Sequence, residues 1–186
     1  LLKPKLTIHA KQLYAEESIQ QVNDSIAPYL TAMLQGINYN KQDLDDRVIY
    51  NTRYCAQLSR MLKLLVGYAL NPNSPKQVSA YLYEGMGYKK PVKDMTNEKT
   101  LLQLRLKHPN PVLTIILKYR GVAKQSGQLK FPPYVPRGTT KERITTGYNL
   151  AGTTTFRLAS KRLLGRWGTN VQNFPKDLRK IFLPDE

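Results

Sequence analysis

Cysteine is nearly missing from this sequence: the single residue, Cys55, excludes both a disulfide framework and a thiolate metal site. It falls on an apolar helical stripe and reads as a packing residue. Histidine is almost as scarce, and His9 and His108 lie far apart without motif partners. That excludes a histidine-based zinc or nucleophile site. There is no long uncharged apolar run and no strongly basic amphipathic terminal helix, so a membrane is not the expected partner. The opening Leu1-Leu2-Lys3-Pro4 does not read as a signal peptide, because Pro4 and Lys5 interrupt any apolar core, and a cytoplasmic rather than secreted protein is expected. A phosphate-binding glycine loop with its lysine and a nucleophile elbow are also absent.

Acids are few. A two-metal site needs carboxylates that project together, and no pair here is in a plausible setting. The nearest, Asp185 and Glu186, are adjacent and would point to opposite faces of a strand; they read as turn residues. No catalytic and no metal-ligating residue is therefore assigned.

What remains is a foldable, cationic chain. With 41% hydrophobic residues in 186, it has room for one domain, or one plus part of another, and enough apolar material for a core. Its 29 Lys and Arg against 13 Asp and Glu give a net charge of +16. Between Lys99 and Lys176 there are fifteen cationic residues and one acid, Glu142. A polyanion, and specifically nucleic acid, is the expected partner.

The pattern predicts a helix over residues 23–35, with Ile26, Tyr29, Leu30, Met33 and Leu34 on one side and Gly36 ending it. Asn40 is placed to cap a long second helix, with Asp43, Asp45 and Asp46 in its first turns. Leu44, Val48, Cys55, Leu58, Leu62, Leu65 and Ala69 form its apolar stripe, and Asn71-Pro72 breaks it. Ser74-Pro75-Lys76-Gln77 is a capping-box arrangement with a proline start, predicting a short helix to about Glu84. A further helical region from Thr96 is interrupted at His108-Pro109-Asn110-Pro111 and resumes through Val112, Ile115, Tyr119, Val122 and Ser126. Two apolar stripes joined by a small tip suggest an antiparallel helix pair with a short, basic, exposed tip. After the connector at Pro132, Pro133, Pro136 and Gly138, "RITTGYNL" and "TTTFRLAS" read as paired strands turning at Ala151-Gly152, and "LRKIFLPD" as a further strand. The fold class is thus α+β, mainly α.

Arg120 and Lys124 are one helical turn apart and can reach a phosphate backbone from one face. Asn170, Gln172 and Asn173 are uncharged donors and acceptors of the type that reads a minor groove without demanding one sequence.

Four stretches, in order, resemble family A (polymerase I-like) DNA polymerases, particularly phage-type members. "GINYN" with the long helix and "NPNSPKQVSAYLYEGMG" is similar to that family's thumb and tip helix. "LKHPNPVLTIILKYRGVAK" resembles the returning thumb helix with its Tyr-Arg-x-x-x-Lys pattern. "ITTGYNLAGTTTFRLAS" resembles the first palm strands, with Thr153, Thr155, Arg157, Leu158 and Ser160 on the family signature; Phe156 and Ala159 depart from its Gly and Ser. "GTNVQNFPKDLRKIFLPDE" resembles the Asn-Leu-Gln-Asn-Ile-Pro motif and the strand approaching the first catalytic aspartate. The Ser160 to Asn170 spacing is longer than in bacterial members, which looks phage-like.

The resemblance implies a lead-in at residues 1–38, a helical thumb at 39–130 and an incomplete first part of the palm at 131–186. It implies a DNA-directed DNA polymerase in which Arg157 and Thr155, with Asn170, Gln172 and Asn173, meet the primer strand and minor groove. Arg120, Lys124, Ser74 and Lys76 would meet phosphates. Primer-template DNA is the implied partner, with dNTP and Mg²⁺ engaged only by the full-length enzyme, in the host cytoplasm if phage-encoded. The catalytic carboxylates would lie beyond Glu186, leaving this chain inactive alone. A stand-alone basic nucleic-acid-binding module without catalysis is the alternative.

Overall fold

The computed structural model describes residues 16–92, 95–150, 158–162 and 168–185. Its elements are mainly helical, with one small antiparallel sheet. Two compact units emerge: residues 42–129 form one, and the described residues up to Lys41 join those from Lys130 onward in the other. The described part of the expected lead-in, residues 16–38, lies in the second unit.

Helix α1, Glu16–Gln35, begins seven residues before the expected start, with Glu16 and Glu17 in its first turn, where the helix dipole favours acids. Gly36 ends it at φ +67°, its N–H donating to Ala32 O at 3.0 Å. The expected stripe is only half used. Tyr29 tilts against Tyr148 at 5.4 Å between centroids, and Met33 O accepts from Thr145 Oγ1 at 2.7 Å. Ile26, Leu30 and Leu34 are exposed, since among the described residues one flank of the helix meets strand β1, Gly147–Asn149.

Helix α2 is Lys41–Val66, and Gly67, at φ +85°, closes it. Leu44, Leu58 and Leu62 are buried as expected, but Leu65 and Ala69 are exposed. The helix ends at Val66, so Ala69 no longer follows its period. Asn51 takes a buried place on the stripe, seven residues from both Leu44 and Leu58. Cys55 is half-buried, and burial pushes its thiol above the ordinary range, making it a poor nucleophile.

Short helix α3, Pro75–Ser79, starts as read: Ser74 Oγ accepts from Gln77 N at 3.3 Å and Pro75 opens the helix. The capping box is not reciprocal, since Gln77 Oε1 accepts from Asn71 N at 2.8 Å, six residues back. One π-helical turn, Ala80–Gly85, continues it. Helix α4, Glu98–Lys107, is capped by Asn97, whose Oδ1 accepts from Thr100 N at 2.8 Å. Helix α5, Pro111–Leu129, is capped by Asn110 Oδ1 accepting from Val112 N at 2.9 Å. The prolines therefore separate two helices, each with its own cap.

The core of this unit joins Leu58 and Leu62 of α2, Leu70, Val78 and Leu82 of the tip, Leu101 of α4, and Val112, Leu113, Ile115 and Ile116 of α5. The tip is exposed on one side, at Lys76, Gln77 and Glu84, and anchored on the other by Val78 and Leu82, which are fully buried.

In the other unit, β1, Gly147–Asn149, pairs antiparallel with β2, Ala159–Lys161, in the register Gly147↔Lys161, Tyr148↔Ser160, Asn149↔Ala159. The expected turn at Ala151-Gly152 lies outside the described residues. "LRKIFLPD" is not a strand throughout. Leu178–Ile181 is a 3-10 turn with Leu178 and Ile181 buried on one side, which explains the missing alternation; only Phe182 then pairs, bridging to Tyr39. Ile37 bridges to Ile144, so residues 37–39 run between two other segments of the chain.

Candidate nucleic-acid interface

The phosphate candidates all belong to the helical unit. Lys76 is exposed in the first turn of α3. Ser74 uses its oxygen to accept from Gln77 N and keeps its O–H as a donor. On α5, Lys124 is exposed, with no acid paired to it among the described residues. Arg120, one turn earlier, behaves differently. Its Nε donates to Pro72 O at 2.7 Å and its Nη1 to Thr96 O, while Nη2 is enclosed without a partner. Desolvation lowers the guanidinium's pKa. The two head groups differ in their surroundings: Lys124 is exposed, whereas Arg120 is hydrogen-bonded within the chain.

Two of the minor-groove candidates, Asn170 and Gln172, join one hydrogen-bonded assembly in the other unit. Residues Val171–Asn173 make a 3-10 turn lying along the outer edge of β2. The Gln172 side chain accepts from Ser160 N through Oε1 at 2.8 Å and donates to Leu158 O through Nε2 at 3.0 Å. Alternate residues of a strand direct their backbone groups to the same edge, so the Gln172 amide pairs with that edge as another strand would. Ser160 Oγ donates to Asn170 Oδ1 and accepts from Gln172 N at 3.2 Å. Arg179 fastens the far side, donating through Nε to Phe174 O at 3.0 Å and through Nη2 to Gln172 O at 3.4 Å. Asn173 is exposed at the end of the turn. Arg157 and Thr155 lie outside the described residues.

The entry to this turn depends on Gly168. Its φ is +70°, and a Cβ there would sit 2.0 Å from Thr145 O. Only glycine permits that approach, after which Thr169 N donates to Thr145 O at 3.0 Å.

Among the described residues no three His, Cys, Asp or Glu converge on a point that could hold a metal ion. Asp185 is not merely a turn residue: both its oxygens accept from Arg143 Nη2, at 2.7 and 2.8 Å. Glu142 accepts from Lys41 Nζ at 2.9 Å and Tyr39 OH at 3.3 Å. The Lys41 hydrogen bond, assisted by its charge and by Tyr39, holds the Glu142 carboxyl below the usual range. These donor sets suit ion pairs, not a shared divalent cation. No helix among the described residues is long and apolar enough to cross a membrane.

Sequence reading thus located the Asn170–Asn173 turn but missed Arg179 and Gly168 as the residues that hold it. Gly168 is legible in retrospect as a glycine immediately before a polar turn; Arg179 leaves no local signal.

Residues 48–186 match the sequence profile of DNA polymerase family A. DNA polymerase I of Helicobacter pylori is 35% identical over 118 residues, covering 63% of this chain and 12% of that protein. DNA polymerase I of Lactococcus lactis subsp. cremoris is 28% identical over 194 residues, covering 99% of this chain and 21% of that protein. The chain therefore spans between 12% and 21% of the length of these relatives. In fold it is similar to the POL domain of Pol1 from M. smegmatis, solved in complex with DNA primer-template and dNTP. The TM-score is 0.67 at 23% identity, over 83% of this chain and 27% of that one.

Proposed function

The chain belongs to DNA polymerase family A, and on that premise we propose that it is the part of a DNA-directed DNA polymerase that holds primer-template DNA: the thumb and the first part of the palm of a phage-type enzyme. The observation that carries this reading is that the family match runs unbroken through both the cationic helical unit and the Asn170–Asn173 turn. Lys124, Lys76 and Ser74 meet phosphates, which position a duplex without reading it. Asn173 and the turn around Gln172 and Asn170 face the minor groove, with Arg157 and Thr155 at the primer strand. Minor-groove acceptors occupy similar places in all correct base pairs, so such contacts test geometry and not sequence. The longer interval between Ser160 and Asn170 supports the phage-type assignment.

In this reading the cations that activate the primer hydroxyl and neutralise the triphosphate are held by carboxylates encoded beyond Glu186. Among the described residues, Glu142 and Asp185 are taken up by Lys41 and Arg143. The enzyme works in the cytoplasm, that of a host if phage-encoded.

Equilibrium binding of the 186-residue chain to a labelled primer-template at several salt concentrations tests this. Affinity should fall with salt and be similar for unrelated duplexes, with no primer extension above a no-enzyme control in Mg²⁺ and all four nucleotides. Salt-independent binding, or none, would point to a structural or assembly protein. Template-dependent extension would place an active site within these residues.

A further inference from the structure

Resting on the DNA-holding reading above, we infer that Arg120 is a positioning residue for the tip and not itself a phosphate ligand. Its guanidinium fastens both ends of the segment that carries Lys76 to helix α5. Pro72 lies two residues before the Ser74 cap of α3, and Thr96 immediately precedes the Asn97 cap of α4. Arg120 donates to the carbonyl of each, through Nε and Nη1. Both of those residues are buried.

Carbonyls enclosed in this way need a donor, because an unpaired buried acceptor costs the desolvation of that group. Swinging Arg120 out toward a phosphate would orphan both at once. The planar fork of a guanidinium reaches two acceptors in fixed directions, which a compact ammonium cannot reproduce. Lys124, exposed on the next turn, carries the charge that a phosphate meets, and Lys76 meets another once the tip is held in place.

The test compares Arg120→Lys, Arg120→Gln, Lys76→Ala and Lys124→Ala in the 186-residue chain, using salt-dependent binding to a primer-template and amide exchange. Lys124→Ala should reduce the slope of log affinity against log salt by about one. Arg120→Lys keeps its charge, yet should weaken binding about as much as Arg120→Gln. Combining either with Lys76→Ala should be markedly less than additive, since both act through the tip. Without DNA, the Val78 and Leu101 amides, bonded to Ser74 O and Asn97 O, should exchange about 10- to 100-fold faster in both Arg120 variants. If Arg120→Lys binds like wild type, Arg120→Gln lowers the slope by about one and the effects add with Lys76→Ala, Arg120 is a phosphate ligand and the inference falls. A wild-type chain that binds no duplex overturns the DNA-holding reading itself, and unchanged amide exchange in both variants refutes the fastening separately.

Discussion

Substituting Gly168 by alanine should unseat the Asn170–Asn173 turn. The added Cβ would lie 2.0 Å from Thr145 O, 2.7 Å from its carbonyl carbon and 2.9 Å from its Cγ2, so backbone and not a pliable side chain must yield. Holding a non-glycine residue at φ +70° costs about 1–2 kcal/mol. Relieving the overlap breaks the 3.0 Å bond from Thr169 N to the buried Thr145 carbonyl, at about 1–3 kcal/mol. The stiffer unfolded chain returns about 0.4–1 kcal/mol. The net loss is about 1–5 kcal/mol by these terms. Urea unfolding followed by emission from Trp167, the only tryptophan and the preceding residue, should show it, together with faster exchange at the Thr169 amide. Gly127→Ala is the control: it lies within α5 with nothing near its would-be Cβ and should stabilise by about 0.5–1 kcal/mol. If Gly168→Ala matches wild type in midpoint and exchange, the close approach to Thr145 is not what seats the turn.

Three further outcomes are expected. Gln172→Ala should speed exchange of the Ser160 amide about tenfold by removing its acceptor; an unchanged rate would mean the edge is covered otherwise. Leu62→Ala, at a fully buried site, should cost about 2–5 kcal/mol in denaturant unfolding, and a loss below 1 kcal/mol would contradict the packing described for α2. Because the folded carboxyl of Glu142 is depressed, chiefly by Lys41, its contribution is complete above about pH 4.3 and is lost as pH falls through the folded value. Glu142→Gln should therefore narrow its stability gap to wild type on acidification, and a pH-independent gap would refute the pairing.

Local signals were legible and distant partners were not. Ser74-Pro75 acts within one turn of the chain and was readable as a start, whereas the stop read at Asn71-Pro72 comes earlier, at Gly67. Leu58 and Leu62 followed from period alone, whereas Asn51 could not, since a polar residue at an apolar period gives no sign of burial. "LRKIFLPD" misled because its Leu178 and Ile181 repeat every three residues, a spacing that serves a 3-10 turn as well as an irregular strand. Arg120 and Gln172 were legible only as polar residues. Their internal partners, Pro72, Thr96, Leu158 and Ser160, lie 12 to 48 residues away in sequence, beyond what local pattern encodes.

The pairing of Ile37 with Ile144 has a kinetic consequence. Gly36 and Arg143, hydrogen-bonded at 3.0 Å beside that bridge, are 107 residues apart, and the whole helical unit intervenes in the chain. Closing so long a flexible loop costs about 4 kcal/mol in entropy from its length alone. Helices α2 to α5 are stabilised by contacts much nearer in sequence, and their prior folding shortens the length that must still be closed. The order of events follows: the helical unit acquires protected amides first, and the Ile37–Ile144 seam then closes as a slower step. Lengthening an exposed loop inside the helical unit would scarcely affect seam closure, whereas a core substitution that delays the helices would slow it.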